Sequence, residues 1–200
     1  MPETLAGNVK SPLTAEQKNV AMSEARSFLS KFLEAALKGD APAVQTMAVD
    51  YANKHNLTVF DVFTQFKDGR KRTALHFACS SNNNDTQIVR ALTLSEWAQH
   101  HKLVEKDEEH NHVFLRAKDT DGITPFMLAA QGATATLERV TTLLEAGGTK
   151  LGLARSKDGA TALHYAAGAG ANKDVIQALF EAGKVAVKTN SKQGGTPLHW

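Results

Sequence analysis

A four-residue motif that starts with threonine occurs four times in this 200-residue chain. It reads Thr-Ala-Leu-His from Thr73 and Thr161, Thr-Pro-Phe-Met from Thr124, and Thr-Pro-Leu-His from Thr196. The steps between these threonines are 51, 37 and 35 residues. A pattern that returns every few tens of residues indicates a solenoid, in which each repeat packs mainly on its neighbours. The longer first step predicts an insertion between two of the repeats.

The residues around each motif suit a turn followed by a helix. Asp-Gly precedes the motif at 121–122 and 158–159, and glycine tolerates the positive φ of a tight turn. Asp68 and Gly69 precede the first motif, here with two extra residues in the turn. Threonine can cap the helix, proline suits its first position, and the paired alanines that follow allow close helix packing. Each motif is therefore predicted to open a short helix after a turn.

This combination resembles the ankyrin repeat family, whose period is roughly 33 residues. The resemblance implies an all-α fold, an ankyrin-repeat solenoid of helix-turn-helix repeats with β-hairpin-like finger loops. In that family the motif histidine is structural and bridges neighbouring repeats. The bridge is therefore expected to be missing at Met127, and no catalytic role is expected for the histidines. The structural motif residues are Thr73, His76, Thr124, Pro125, Thr161, His164, Thr196 and His199.

The spacing predicts a flexible tail at 1–13 and one ankyrin-repeat domain at 14–200. The domain divides into a helical cap repeat at 14–56, a repeat at 67–94, an insertion at 95–114, repeats at 115–148 and 154–183, and a truncated repeat at 188–200. A last repeat without its second helix leaves an apolar face uncovered. We therefore expect residues 185–200 to fray or to pack against a neighbouring copy, with the chain otherwise a monomer.

The cap repeat is predicted from its own helix signals. Thr14 and Gln17 have the spacing of a capping box, and apolar residues follow at three- and four-residue steps. Gly39 is expected to end this helix and Asp40 to cap the next. The apolar run at 55–66 is ambiguous by periodicity, and an extended finger is one interpretation.

The insertion leaves two interpretations open. Ser95 can cap a helix that carries Trp97, His101 and Val104 on one face. This helix either packs onto the solenoid or contacts a partner, because insertions in repeat arrays lie at the surface. Residues 105–109 are expected to form a solvated acidic segment.

No cofactor, metal or catalytic site is expected. The histidines at 100, 101, 110 and 112 lack the cysteine or carboxylate pattern of a metal site. Cys79 stands at a small-residue helix position and is expected to be an inert core thiol. Gly168 and Gly170 follow a helix rather than a strand, so they do not form a dinucleotide loop. The prediction is a protein that is not an enzyme.

Composition supports a cytoplasmic protein. No stretch approaches the roughly 18 apolar residues of a membrane span, and residues 1–13 lack the apolar core of a signal peptide. The single cysteine excludes an intramolecular disulfide and fits a reducing compartment. A membrane partner is therefore not expected.

The resemblance implies a protein partner held on a concave face made of fingers and first helices. The partner-binding candidates on the fingers are Lys67, Asp68, Arg70, Lys71, Arg72, Lys118, Asp119, Thr120, Asp121, Lys157, Asp158, Lys192 and Gln193. Those on the first helices are Phe77, Ser80, Leu128, Gln131, Tyr165 and Gly168. Aromatic residues are frequent at binding hot spots, although Phe77 and Tyr165 suit packing against a neighbouring helix equally well.

Charge gives a hint about the partner. The finger windows 66–73, 115–123, 154–160 and 184–193 hold eleven Lys or Arg against four Asp or Glu, whereas the whole chain has a formal net charge of only +2. A basic finger edge favours an acidic protein partner, while ordinary solvated fingertips are the other interpretation. Nucleic acid is not expected, because no basic stripe interleaved with aromatics is present.

A second, looser resemblance leads to an alternative function. Residues 28–36, 72–78 and 159–168 are similar to proteins that join N-terminal ankyrin repeats to C-terminal tetratricopeptide repeats, which are linked to chaperone binding. This resemblance implies a targeting arm of a larger co-chaperone-like or enzyme-bearing protein. A new period of about 34 residues beyond Trp200 would favour it.

Overall fold

The computed structural model describes residues 15–81, 86–103, 113–131 and 135–200. The tail at 1–13, the cap residue Thr14 and the 104–112 part of the insertion lie outside the described residues. The α-helices in the described part are α1 (Ala15–Lys38), α2 (Ala41–His55), α3 (Val59–Gln65), α4 (Ala74–Ser80), α5 (Gln87–Thr93), α6 (Glu96–His100), α7 (Pro125–Ala130), α8 (Leu137–Gly147), α9 (Ala162–Gly168) and α10 (Lys173–Ala182). Short 3₁₀ helices span Thr149–Leu153, Lys184–Lys188 and Pro197–His199. No β-strand occurs in these ranges.

The helices form two stacked rows. The first row is α1, α4, α7 and α9, each packed on the next, with the 3₁₀ helix Pro197–His199 packed on α9. Behind it, α2, α5, α8 and α10 stack in the same order. Ala78, Ala129 and Ala166 are fully buried, because first helices this close leave room only for small side chains. The architecture is the predicted all-α solenoid.

The cap repeat begins the stack. Helix α1 ends at Lys38, and Gly39 follows it with a φ of +82°. The Asp40 side chain accepts a hydrogen bond from the Ala43 N–H at 3.0 Å and so caps α2. Phe28 of α1 stacks on Tyr51 of α2 with ring centroids 4.0 Å apart, which ties the two helices together.

The interpretation of 55–66 as an extended finger is wrong, because helix α3 lies there. Thr58 and Asp61 form a reciprocal capping box, with the Asp61 N–H and the Thr58 N–H each donating at 3.0 Å to the other residue's side chain. Val59, Val62 and Phe63 are buried and follow helical spacing. The capping box therefore decides between two readings that apolar periodicity alone left open.

The described part of the insertion packs onto the solenoid. The Ser95 hydroxyl accepts from the Ala98 N–H at 3.1 Å and opens α6. Trp97 meets Phe63 of α3 edge-on, with ring centroids 6.0 Å apart, and Leu103 is 1% exposed. Val104, also predicted for this helix face, lies outside the described residues. The Trp97 side chain thus joins the aromatic core beneath the cap.

Candidate functional site

A tight turn precedes each motif threonine, and the eight-residue segments that contain these turns are called fingers 1 to 4 (residues 66–73, 117–124, 154–161 and 189–196). In finger 2 the Asp119 N–H donates to the Ile123 carbonyl at 3.0 Å, and fingers 1, 3 and 4 repeat this bond at the equivalent residues. Two residues before the threonine the backbone has positive φ, which is +75° at Gly122 and +76° at Gly159. Glycine suits this position because it lacks a Cβ.

Finger 1 has the same length as the others, so the two extra turn residues predicted from Asp68-Gly69 are wrong. Lys71, with φ +63°, occupies the position of Gly122. The Asp68 carboxylate accepts from the N–H groups of Arg70 and Arg72 at 2.9 and 2.8 Å. Asp119 accepts from the two equivalent N–H groups of finger 2 at 2.8 Å each. The capping carboxylate, not the Asp-Gly pair, therefore sets the register of the turn.

Backbone hydrogen bonds hold the fingers in register with one another. The Thr120 N–H donates to the Arg70 carbonyl at 2.8 Å. The Lys157 N–H donates in the same way to Asp121, and the Lys192 N–H to Asp158, both at 2.7 Å. One equivalent bond thus joins each neighbouring pair of fingers. Side chains at the same position of successive fingers consequently form rows across the array.

The motif histidines connect each finger to the next repeat. The His76 Nδ1 accepts from the Thr73 N–H at 3.1 Å, and its Nε2 lies 3.1 Å from the Ile123 carbonyl oxygen of finger 2. His164 makes the equivalent contacts with Thr161 at 3.1 Å and with Gly195 of finger 4 at 3.2 Å. Because Nδ1 accepts, the proton lies on Nε2, which donates to the carbonyl. The ring is then neutral, and burial lowers the pKa of both histidines.

The other two motif copies lack a complete bridge. The Met127 side chain occupies the histidine position of α7 and has no N–H to donate, whereas the backbone N–H of Met127 still donates to the Thr124 hydroxyl at 3.3 Å. His199 makes the inner contact with the Thr196 N–H at 3.3 Å and is exposed. Pro125 is buried at the first position of α7. These residues therefore shape and cap the helices.

The candidate binding residues divide by exposure. The exposed ones are Lys67, Arg70, Lys71, Lys118, Asp121, Gln131, Lys157, Asp158, Gly168, Lys192 and Gln193. The half-buried ones are Asp68, Arg72, Phe77, Ser80, Thr120, Leu128 and Tyr165. Asp119 is only 7% exposed and its carboxylate serves the turn, so a partner has little access to it.

Two of the finger arginines are engaged within the protein. Arg70 of finger 1 forms an ion pair with Asp121 of finger 2. The Arg72 Nη2 lies 2.7 Å from the Asp68 carboxylate, and its guanidinium carbon lies 4.5 Å from the ring centroid of Phe77. Their charges are therefore balanced by neighbouring carboxylates.

Exposed lysines remain at the finger turns. In the described ranges, no carboxylate lies within 4.0 Å of the amino groups of Lys67, Lys71, Lys157 or Lys192. The Lys118 amino group donates to the Arg155 carbonyl at 2.9 Å. Positive charge on the fingers thus rests mainly on lysines.

Two residues, Trp200 and Arg139, were not among the site residues predicted from the sequence. Trp200 follows Thr196 by four residues, as Phe77 follows Thr73, and the register of the motif was the signal for it. Arg139 of α8 is 1% exposed, and its Nη1 donates to the Cys79 and Ser81 carbonyls, both at 3.3 Å. Nothing in the sequence distinguishes this arginine from a solvated one.

The single cysteine of the chain is buried. Burial raises the pKa of the Cys79 thiol to about 12, which keeps it protonated. Nowhere in the described ranges do three His, Cys, Asp or Glu side chains come close enough to hold a metal ion. His110 and His112 fall outside those ranges. The helices of the described part are all too short or too polar to cross a membrane.

Stacked helix pairs joined by fingers in register define this protein as a repeat solenoid. Two family models match it, one for ankyrin repeats in three copies over residues 126–200 and one for a single ankyrin repeat over 70–100. The chain belongs to the ankyrin repeat family, whose repeats are general protein–protein interaction modules. A search of curated proteins returned no match.

Proposed function

We propose that this chain is a non-catalytic, cytoplasmic module that holds a protein partner on its inner face, defined as the fingers and the first helices α4, α7 and α9. The observation that carries the proposal is the equivalent backbone bond between every pair of neighbouring fingers, from Thr120, Lys157 and Lys192. A preorganised surface costs less entropy to bind than a mobile one.

The partner is expected to be acidic. Lys71, Lys157 and Lys192 are exposed at the finger turns and have no carboxylate within ion-pair distance among the described residues. Exposed charges of this kind mainly speed encounter and select for charge, and salt weakens their effect. Arg70 and Arg72 contribute less, because each is already paired with an aspartate.

The alternative is a targeting arm of a larger co-chaperone-like or enzyme-bearing protein. The targeting arm would use the same inner face, and it would direct the larger co-chaperone-like or enzyme-bearing protein to the bound partner. Recovery of a chaperone together with the partner, from cells that contain the full-length protein, would favour the targeting arm. Recovery of the partner alone favours the simple binding module. For both the targeting arm and the binding module, we expect one copy of the chain in each complex.

Photo-crosslinking from two matched positions tests the binding face. Gln131 is exposed at the end of α7, three residues after Leu128 and so on the same side of the chain. Gln177 is exposed on α10 in the second row, where its side chain donates to Glu181 of the same helix. A photoreactive phenylalanine analogue replaces one glutamine at a time in the full-length protein in its native cells.

The proposal expects a discrete crosslinked protein from position 131 and none of that mass from position 177. Matched expression and thermal midpoints control for folding. The same adduct from both positions would point to proximity without a defined face. An adduct from position 177 alone would place the partner on the second helix row and overturn the proposal.

A further inference from the structure

A row of large apolar side chains lies beside the fingers. Phe77, Leu128, Tyr165 and Trp200 each follow their motif threonine by four residues, so they share one position in successive repeats. Phe77, Leu128 and Tyr165 are half-buried, and Trp200 is 42% exposed. These four residues are called the apolar stripe. Each of them keeps part of its surface open to a partner.

The stripe is continuous at its C-terminal end. The Trp200 ring lies edge-on to Tyr165 with centroids 6.0 Å apart. It also covers Gly168, where an added Cβ would lie 3.2 Å from the Trp200 ring. Two aromatic side chains of neighbouring repeats therefore form one apolar surface.

The stripe borders the basic fingers at both ends. The guanidinium carbon of Arg72, the residue before the motif threonine in finger 1, lies 4.5 Å from the Phe77 ring centroid. At the other end, a Cβ on Gly195, the equivalent residue of finger 4, would meet the Trp200 ring at 3.2 Å. The stripe thus adjoins fingers 1 and 4, and Lys71, Lys157 and Lys192 are exposed at the finger turns.

We propose that the apolar stripe and these three fingertip lysines together recognise an acidic amphipathic segment of a partner protein. Apolar side chains of the segment pack on the stripe, and carboxylates beside them face the lysines. This inference rests on the proposed function and names the chemistry of its ligand. Apolar contacts supply affinity, whereas charge complementarity rejects segments of the wrong sign.

Three displayed peptide libraries of equal length test the proposal with the full-length protein as bait. The first library alternates apolar residues with Asp or Glu, the second alternates the same apolar residues with Lys or Arg, and the third keeps the acids but replaces the apolar residues with Ser or Asn. The expected result is enrichment from the first library alone. Enrichment from the second or third library, or none from the first, overturns the proposal.

Two charge-reversal variants then locate the binding site. K157E together with K192E changes exposed finger residues, and K150E together with K173E makes the same charge change behind the first helix row. Selected peptides are expected to bind the finger variant about fivefold or more weakly, with the control variant close to the parent. Equal losses of peptide affinity in both variants would indicate that only the net charge of the protein matters, and would overturn the proposal.

Leu128→Gln tests the stripe itself, with its thermal midpoint measured beside its affinity. Weaker binding at an unchanged midpoint supports the stripe, and unchanged binding contradicts it. If this variant does not fold, the Tyr165→Gln variant answers the same question. If all peptide selections fail while the crosslink at position 131 still forms, the inner face remains the proposed binding surface. Only the proposal of an acidic amphipathic segment as its ligand is then overturned.

Discussion

The His76 Nε2 lies 3.1 Å from the Ile123 carbonyl oxygen, so one side chain spans 47 residues of sequence to join finger 2 to α4. The same oxygen accepts the Asp119 N–H of its own turn. His164 repeats this arrangement at Gly195, while Met127 interrupts it between them. Histidine bridges therefore join α4 to finger 2 and α9 to finger 4, whereas the methionine of α7 makes no such bridge to finger 3.

Exchanging the residue at this position tests the bridge. H76M places at position 76 the side chain found at 127, and it removes a donor to Ile123 and an acceptor for the Thr73 N–H. We expect this variant to lose about 1–3 kcal/mol of unfolding free energy in urea titrations. M127H should gain about 0.5–1.5 kcal/mol, because the Ala160 carbonyl can accept a second bond. Loss of stability in M127H would contradict the role of the bridge.

Acidic pH should weaken the two histidine bridges and so lower the stability of the protein. Burial lowers the folded-state pKa of His76 and His164 below the ordinary value of about 6.5, and that of His101 shifts in the same direction for the same reason. The unfolded state therefore binds protons first, so this stability is fully present above about pH 6.5 and is lost as pH falls. Urea midpoints should decrease from pH 7.5 to 5.5, and less steeply in H76M. A flat profile would be evidence against neutral buried histidines.

The close approach of fingers 2 and 3 gives a second stability test. Gly122 and Gly159 both have positive φ, so alanine is strained at each. A Cβ at 122 would lie 2.8 Å from the Lys157 nitrogen, whereas the nearest atoms at 159 are 3.5 Å away. We expect G122A to cost at least about 1 kcal/mol more than G159A. Equal thermal midpoints in the two variants would mean that the fingers do not meet this closely.

The register of finger 1 predicts opposite roles for two neighbouring positions. Lys71 has φ +63° at the glycine position of the turn, so K71G should raise stability by about 0.5–1 kcal/mol. Gly69 has no positive φ, and a Cβ there would meet no atom within 4 Å. G69A should therefore be neutral or slightly stabilising. If G69A were destabilised and K71G neutral, the turn with two extra residues would be the better description of finger 1.

The fold was predictable because the motif encodes local contacts. Threonine capping and the glycine turn each depend on residues a few positions apart, and the bridge repeats with the motif. The register of finger 1 was not predictable, since Asp68-Gly69 imitates the glycine turn of finger 2 and the positive φ of Lys71 leaves no trace in the sequence. Apolar periodicity at 55–66 was too short to distinguish a helix from a finger.

The candidate surface was predictable in outline only. Rows of side chains follow from the motif register, which places Trp200 beside Tyr165. Ion pairs between fingers do not, because the pairing of Arg70 with Asp121 depends on how two distant turns stack. The burial of Arg139 likewise requires the three-dimensional packing of α8 against the end of α4.

Hydrogen–deuterium exchange on the full-length protein, alone and with the partner protein identified by crosslinking, tests the binding face most directly. Protection is expected in fingers 2 and 3 and in α7 and α9, where the inner face lies. Helices α8 and α10 in the second row should exchange at unchanged rates and serve as the internal control. Protection confined to α8 and α10, with unchanged exchange in the fingers, would contradict the inner face as the binding surface.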